Sequence, residues 1–202
     1  MKNYLPNSSM IPPINELKRK LQSLAMLDAI LMADWASRYF SFNSKWGPNE
    51  MMGSMRDGEG GEFFFLFDPV GAAGKIYSKE TALGPNAASA LASVPSDFSS
   101  FLSEPAFSIN LATCYLWRRP GESAWSVAPA GIEKLPFLAF IGDQGEHYRA
   151  WASDYYQTEL TMDAVRAVFR QQLLTPSLMK SINPNADTTA AVTDAVEIGY
   201  PH

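Results

Sequence analysis

The chain is short of the residues that most often do chemistry. Its 202 residues include one cysteine and two histidines. A single cysteine excludes an intrachain disulfide. A zinc site needs three or four Cys, His or carboxylate ligands at workable spacing. Cys114, His147 and His202 do not supply them, so no metal and no cofactor is expected. Cys114 stands in an apolar, strand-like run and reads as a buried structural thiol. A Ser–His–Asp or Cys–His catalyst needs an interior histidine. Only His147 qualifies, and it follows Gly145 at the polar start of a predicted helix, where an exposed side chain is the ordinary reading.

Long apolar runs and basic faces are missing as well. No segment has ~18 consecutive apolar residues, the length that spans a bilayer. The opening MKNYLPNSSMIPP lacks the apolar stretch of a secretory signal, so a cytoplasmic location is the default expectation. The net charge is −5. Residues 1–60 carry seven Lys/Arg against six Asp/Glu, and residues 131–202 carry five against nine. The only basic run, Lys18-Arg19-Lys20, falls on a predicted helix and reads as a solvated face. Nucleic acid and anionic membrane, which call for a basic surface, are therefore set aside as partners.

What is present is a globular composition, with 47% hydrophobic and 12% aromatic residues. Residues 1–13 hold three Pro and read as an N-terminal arm; 14–202 read as a single domain. Ile14, Leu17, Leu21, Leu24, Leu27 and Leu31 recur at helical spacing and predict a helix from Pro13 to about Ala33. The aromatic run 35–44, then 50–57, 62–69 and 74–80, predict strands of a meander, with Asp57–Gly61 as a glycine-rich hairpin loop. Residues 81–96 read as a connection and 96–104 as a short helix capped by Ser96. Residues 110–119 and 123–128 predict a hairpin in which Trp117 and Trp125 meet. From 131 onward the pattern is helical: 133–141, 143–157, a helix capped by Thr161, one opened by Pro176 and one over 188–198 ended by Gly199. Helices before and after an antiparallel sheet give an α+β fold, with 14–130 as helix plus sheet and 131–202 as the helical part.

Few chemistries remain. The loop GEGG does not match a phosphate-binding loop. Glu50, Asp57, Glu59, Glu62 and Glu104 could serve acid–base work, but no spacing selects a pair, and Lys45 and Arg56 would depress their pKa values. No catalytic residue is assigned. The stretch FNSKWGPNEMMGSMRDGEGG does offer binding chemistry. Asn43, Lys45, Trp46 and Arg56, with Glu104, combine an amide, two cations, a ring and a carboxylate as a candidate binding site. Asn43 could instead bond its own backbone, Trp46 fold under a turn, and Arg56 pair with Glu50 or Glu62.

The motifs FSFNSKW, EMMGSMRDGEG and EPAF, followed by CYLWRR and a Trp eight residues after its first, resemble a family of uncharacterised bacterial proteins with an EIGYP-like tail. That resemblance runs from about residue 27 onward and implies no particular activity. In general type the chain is similar to immunity proteins of bacterial toxin systems, a likeness shared by many small acidic domains. The leading expectation is a non-enzymatic protein-binding module, immunity-like, whose acidity would steer it onto a basic partner. Its contact surface would include Tyr155, Tyr156 and Tyr200. A small-molecule pocket or enzyme around the five candidate residues is the alternative, and a structural homodimer the third.

Overall fold

The computed structural model describes residues 11–129 and 137–202. Most of the expected arm, residues 1–10, lies outside them, as does the stretch 130–136, which includes the start of the helix expected over 133–141. Residues 11–13 belong to the body rather than to an arm. Ile11 is buried in the core, and the Pro12 carbonyl accepts a hydrogen bond from Trp125 Nε1 at 2.9 Å.

Helix α1 spans Ile14–Leu31. Leu17, Leu21, Leu24 and Leu27 form its apolar stripe, but burial does not stop at the stripe. Lys20, Gln22, Ser23 and Asp28 are buried as well, because α1 packs between the sheet and the later helices. Lys20 is thus not part of a solvated face. Its ammonium donates to the carbonyls of Ile141 at 2.6 Å and Asp143 at 3.0 Å.

Six strands follow in one sheet: β1 (Phe40–Gly47), β2 (Glu50–Arg56), β3 (Glu62–Asp68), β4 (Gly71–Tyr77), β5 (Cys114–Arg118) and β6 (Ser126–Ala128). They lie in sequence order and every neighbour pair is antiparallel. The fold is α+β, as expected. Several boundaries move for local reasons. Residues 35–37 form a 3-10 turn, with Asp34 accepting from the Ala36 N–H, so β1 begins at Phe40 rather than at 35. Strand β4 starts at Gly71 because the Asp68 carboxylate accepts from the N–H groups of Val70 and Gly71 and closes the turn early; Lys79–Thr81 is already a 3-10 turn.

The run FFFLF reads as continuous apolar because both faces of the sheet are covered, so strict alternation is not required. Phe63, Phe65 and Phe67 join Phe40, Phe42, Ile76, Leu116 and α1 in the larger core. Phe64 and Leu66 point the other way, with Met52, Tyr115 and Trp117. That second face is roofed by residues of the long connection. It contains α2 (Ala87–Leu91) and α3 (Ser99–Ser103), whose cap residue is Phe98, not Ser96. Trp117 and Trp125 do not meet: Trp117 opposes Ser126 and faces the roof, and Trp125 sits in the larger core.

The remaining helices cover the first face. They are α4 (Leu138–Gly142), α5 (Glu146–Tyr155), α6 (Met162–Phe169), α7 (Pro176–Ile182) and α8 (Thr188–Ile198). Thr161 and Thr175 cap α6 and α7 through their hydroxyls, and Gly199 ends α8 in the left-handed region at φ 70°. No helix among the described residues is long and apolar enough to cross a membrane.

Candidate functional site

The five candidate residues do not come together. Trp46 and Glu104 do meet: Trp46 Nε1 donates to Glu104 Oε2 at 3.0 Å, and Glu104 Oε1 accepts from the Ala106 N–H at 2.9 Å. The Trp46 ring stacks near Phe107, with centroids 6.4 Å apart. A register shift in β1 between Asn43 and Gly47 allows this. Phe40 and Phe42 face the larger core, whereas Trp46, beyond the bulge, packs against the smaller one. The pair ties the end of β1 to the roof and is a structural latch.

Asn43, within β1, bonds both α8 and the backbone of its own strand: its Nδ2 donates to Glu197 Oε1 at 3.5 Å. Its Oδ1 accepts from the Lys45 N–H at 2.8 Å. Asn43 and Lys45 line a shallow groove of about 480 Å³ beside Val192, Thr193, Val196 and Glu197 of α8. Arg56 lies at the other end of the sheet. Asn43 opposes Met52 and Phe40 opposes Met55, so β2 runs past β1 without doubling back. Past the register shift Lys45 is level with about Met51, so five residue steps along β2 separate it from Arg56, or about 17 Å at ~3.4 Å per residue. Arg56 forms no ion pair with Glu50 or Glu62; Glu62 binds Lys75 instead, at 2.8 Å.

The Arg56 end of the sheet carries a better-formed site. A groove of about 220 Å³ is lined by Trp35, Ala36, Ser37, Arg38, Tyr39, Ser41, Ser54, Arg56, Gly58 and Tyr155. Its walls are locked. Asp34 Oδ2 accepts from the Ser37 hydroxyl at 2.9 Å. Arg38 donates to the Met32 carbonyl at 2.8 Å and makes a two-point contact with Asp194, Nη1 to Oδ1 at 3.1 Å and Nη2 to Oδ2 at 2.9 Å. These bonds hold Trp35 out at 57% exposure. Tyr155, also in the lining, is 49% exposed and stacks on Trp151 with centroids 4.9 Å apart; Trp151 in turn packs on Tyr39 at 4.4 Å. On the floor Ser41 opposes Ser54, which opposes Phe64. The Arg56 guanidinium lies over the Phe64 ring, 5.2 Å from its centroid.

Of the other aromatics expected at the surface, Tyr156 is half-buried and Tyr200 is buried. The C-terminal segment docks through Ala191, Ala195, Ile198 and Tyr200, and leaves Val192 and Val196 exposed. His147 is exposed, edge-on to Phe140.

Besides Lys20, two charged side chains are buried among the described residues, and both are satisfied. Asp28 accepts from the N–H groups of Tyr39 at 2.9 Å and Phe40 at 2.7 Å, and from the Tyr148 hydroxyl at 2.6 Å. Burial pushes its carboxyl up to about 6, against those hydrogen bonds. Lys75 bonds Glu62, the Leu111 carbonyl at 2.8 Å and the Ser108 carbonyl at 3.3 Å. Burial lowers its pKa, opposed by Glu62. Neither group opens onto the groove, and each has the partners of a structural residue. Among the described residues no three His, Cys, Asp or Glu side chains converge to hold a metal.

Comparison with family models, curated proteins and solved structures finds no match to this chain. The groove is therefore read from its own geometry. Sequence reasoning placed Arg56 and Tyr155 among binding residues but missed Trp35, Ser41 and Ser54. Trp35 falls in the run 35–44, whose pattern predicts a strand. Its signal was the Asp34-x-x-Ser37 pattern, an Asp able to accept from the backbone two residues on and so to start a turn.

Proposed function

We propose that this protein is a non-enzymatic protein-binding module of the cytoplasm, and that the Trp35–Tyr155 groove is its contact site. One observation carries the reading. Two large aromatic side chains are held about half exposed, on locked supports, in the lining of one groove. Trp, Tyr and Arg dominate binding hot spots because each covers much area at little entropic cost and also hydrogen-bonds. Rigid anchors of this kind lose little freedom on association.

Size favours a protein partner over a free metabolite. Pockets that enclose small molecules usually measure ~300–1,000 Å³, and this groove holds about 220 Å³. It suits one or two side chains of a larger partner. Neutralisation of a toxic partner, the immunity-like role, is the narrower form of this reading; the net charge of −5, which would steer a basic partner inward, supports it.

Affinity capture with the full chain tests the proposal. Wild type and Leu173→Ala, which alters an exposed leucine outside the groove, should retain the same specific protein. Trp35→Ala combined with Tyr155→Ala should lose it while melting at a similar temperature. Retention of every bound protein by the folded double variant would refute the groove as the contact site.

A further inference from the structure

Seven polar or charged residues are buried among the described residues: Lys20, Gln22, Ser23, Asp28, Ser54, Lys75 and Thr113. Six of them make hydrogen bonds through their side chains. Ser54 is the exception. It is only 7% exposed as a residue and lines the groove; no protein group among the described residues bonds its hydroxyl, which the groove leaves open to solvent, whereas the one fully enclosed unpaired side-chain polar atom there is the Tyr156 hydroxyl. A hydroxyl that the protein leaves free inside a groove is available to an acceptor that a ligand brings in place of water.

Its neighbours share the same want. Ser41, directly across the ladder, lines the groove and also makes no side-chain hydrogen bond among the described residues. Arg56, two residues along β2 from Ser54, has no acid partner there either. The Phe64 ring beneath its guanidinium limits where that group can go. Two hydroxyls and a guanidinium converge with no acceptor supplied by the protein. The other guanidinium of the groove, Arg38, is already committed to Asp194.

From this convergence we infer that Ser41, Ser54 and Arg56 form a carboxylate-recognition subsite, which takes an Asp or Glu side chain of the protein partner while an adjacent aromatic residue packs on Trp35 or Tyr155. The inference rests on the proposed protein-binding role. A carboxylate matches the set because it accepts from a guanidinium and from hydroxyls at once, and charge-assisted bonds of this kind are about twice as strong as neutral ones. The acids of the adjoining loop do not fill the subsite. Asp57 Oδ1 accepts from the N–H groups of Glu59 at 2.8 Å and Gly61 at 2.7 Å, which turns it into its own hairpin. Glu59 is exposed at the rim, where it would favour a basic residue beside the bound acid.

The test uses two capped dipeptides, acetyl-Phe-Asp-amide and acetyl-Phe-Asn-amide, titrated into the full-length protein. Nitrogen–proton NMR follows Arg56 Nε, the Ser54 amide and Trp35 Nε1. The acid peptide should shift all three signals and bind at least about tenfold more tightly than the amide peptide, the worth of one charge-assisted hydrogen bond. Arg56→Gln should abolish that preference, and Ser54→Ala should reduce it several-fold. Equal affinity for the two peptides would overturn the subsite. Tighter saturation by inorganic phosphate than by the acid peptide would overturn it too, by assigning the donors to a phosphoryl group. If captured partner is lost with the Trp35/Tyr155 double variant but kept by Arg56→Gln, the carboxylate inference fails and the binding role stands. If neither affects capture, the binding role fails.

Discussion

Tyr148 donates its hydroxyl to Asp28 at 2.6 Å, deep between α1 and α5. The other carboxylate oxygen of Asp28 receives the first two N–H groups leading into β1. One buried acid thus fixes the relation of the first helix, the sheet edge and the α5 helix that carries Tyr155. The groove depends on it indirectly, since Tyr39 and Tyr155 both line it and meet edge to face, with ring centroids 5.8 Å apart.

This acid should make stability depend on pH. Its carboxyl is raised from an ordinary 3.8 to about 6. The folded state therefore holds the proton more tightly than the unfolded state. The stability it contributes is complete below pH 3.8 and is lost as pH rises through about 6. The full difference is about 3 kcal/mol at ~1.4 kcal/mol for each tenfold in proton affinity. Urea unfolding of wild type and Asp28→Asn from pH 4.5 to 7.5 isolates it. The stability advantage of wild type over the variant should shrink as pH rises; a constant difference would contradict the shift.

The Trp46–Glu104 latch should be measurable as a coupling. Glu104→Ala removes the acceptor of the indole N–H and of the Ala106 N–H. Both partners are only partly buried, so water replaces part of the loss. A destabilisation of about 1–2 kcal/mol is expected. A double-mutant cycle with Trp46→Phe should give a coupling of at least ~0.5 kcal/mol. Additive effects would show that the hydrogen bond contributes nothing.

Lys75 should tolerate paired replacement better than single replacement. Lys75→Ala leaves Glu62 and two loop carbonyls without their cation. That should cost about 3–5 kcal/mol. Lys75→Met with Glu62→Gln fills the same space without a stranded charge and should cost clearly less. Chemical denaturation compares the two; a double variant weaker than the single one would reverse this ranking.

The C-terminal segment should be a large contributor to stability. Tyr200 is 1% exposed, and its hydroxyl donates to the carbonyls of Val168 at 3.2 Å and Gln172 at 2.9 Å. Gln22 of α1 reaches the carbonyls of Ile198 and Gly199, and Leu174 N–H bonds the Pro201 carbonyl. Tyr200→Ala should cost about 3–5 kcal/mol, as for other buried aromatics. Tyr200→Phe should cost about 1 kcal/mol. An unchanged melting temperature for Tyr200→Ala would show that the tail is not part of the folded unit.

Local patterns in the sequence were enough for the α+β class, the first helix to within about two residues of its end at Leu31, the hairpin closed by Asp57–Gly61 and the helix ended by Gly199. Each rests on neighbours within a few residues: apolar spacing, glycine conformations, a hydroxyl that caps. The same local logic failed where burial overrode it. Lys20 looked solvated because charge runs usually are, yet the packing of α1 on α4 supplied two carbonyls for its ammonium. Tyr200 looked exposed because it is near the end of the chain, yet α1 and α6 enclose it. The candidate site shows the same division. Composition singled out Trp46, Glu104 and Arg56 as residue types suited to binding. Strand register then decided their partners, joining Trp46 to Glu104 through a bulge and sending Arg56 to the far end beside Ser54. Register depends on pairing across strands distant in sequence, and Trp35 and Tyr155, 120 positions apart, share a groove only after the helices close over the sheet. Residue identity set which chemistry was available; tertiary packing decided which of those residues meet, because contact is a property of distance in space and not of order along the chain.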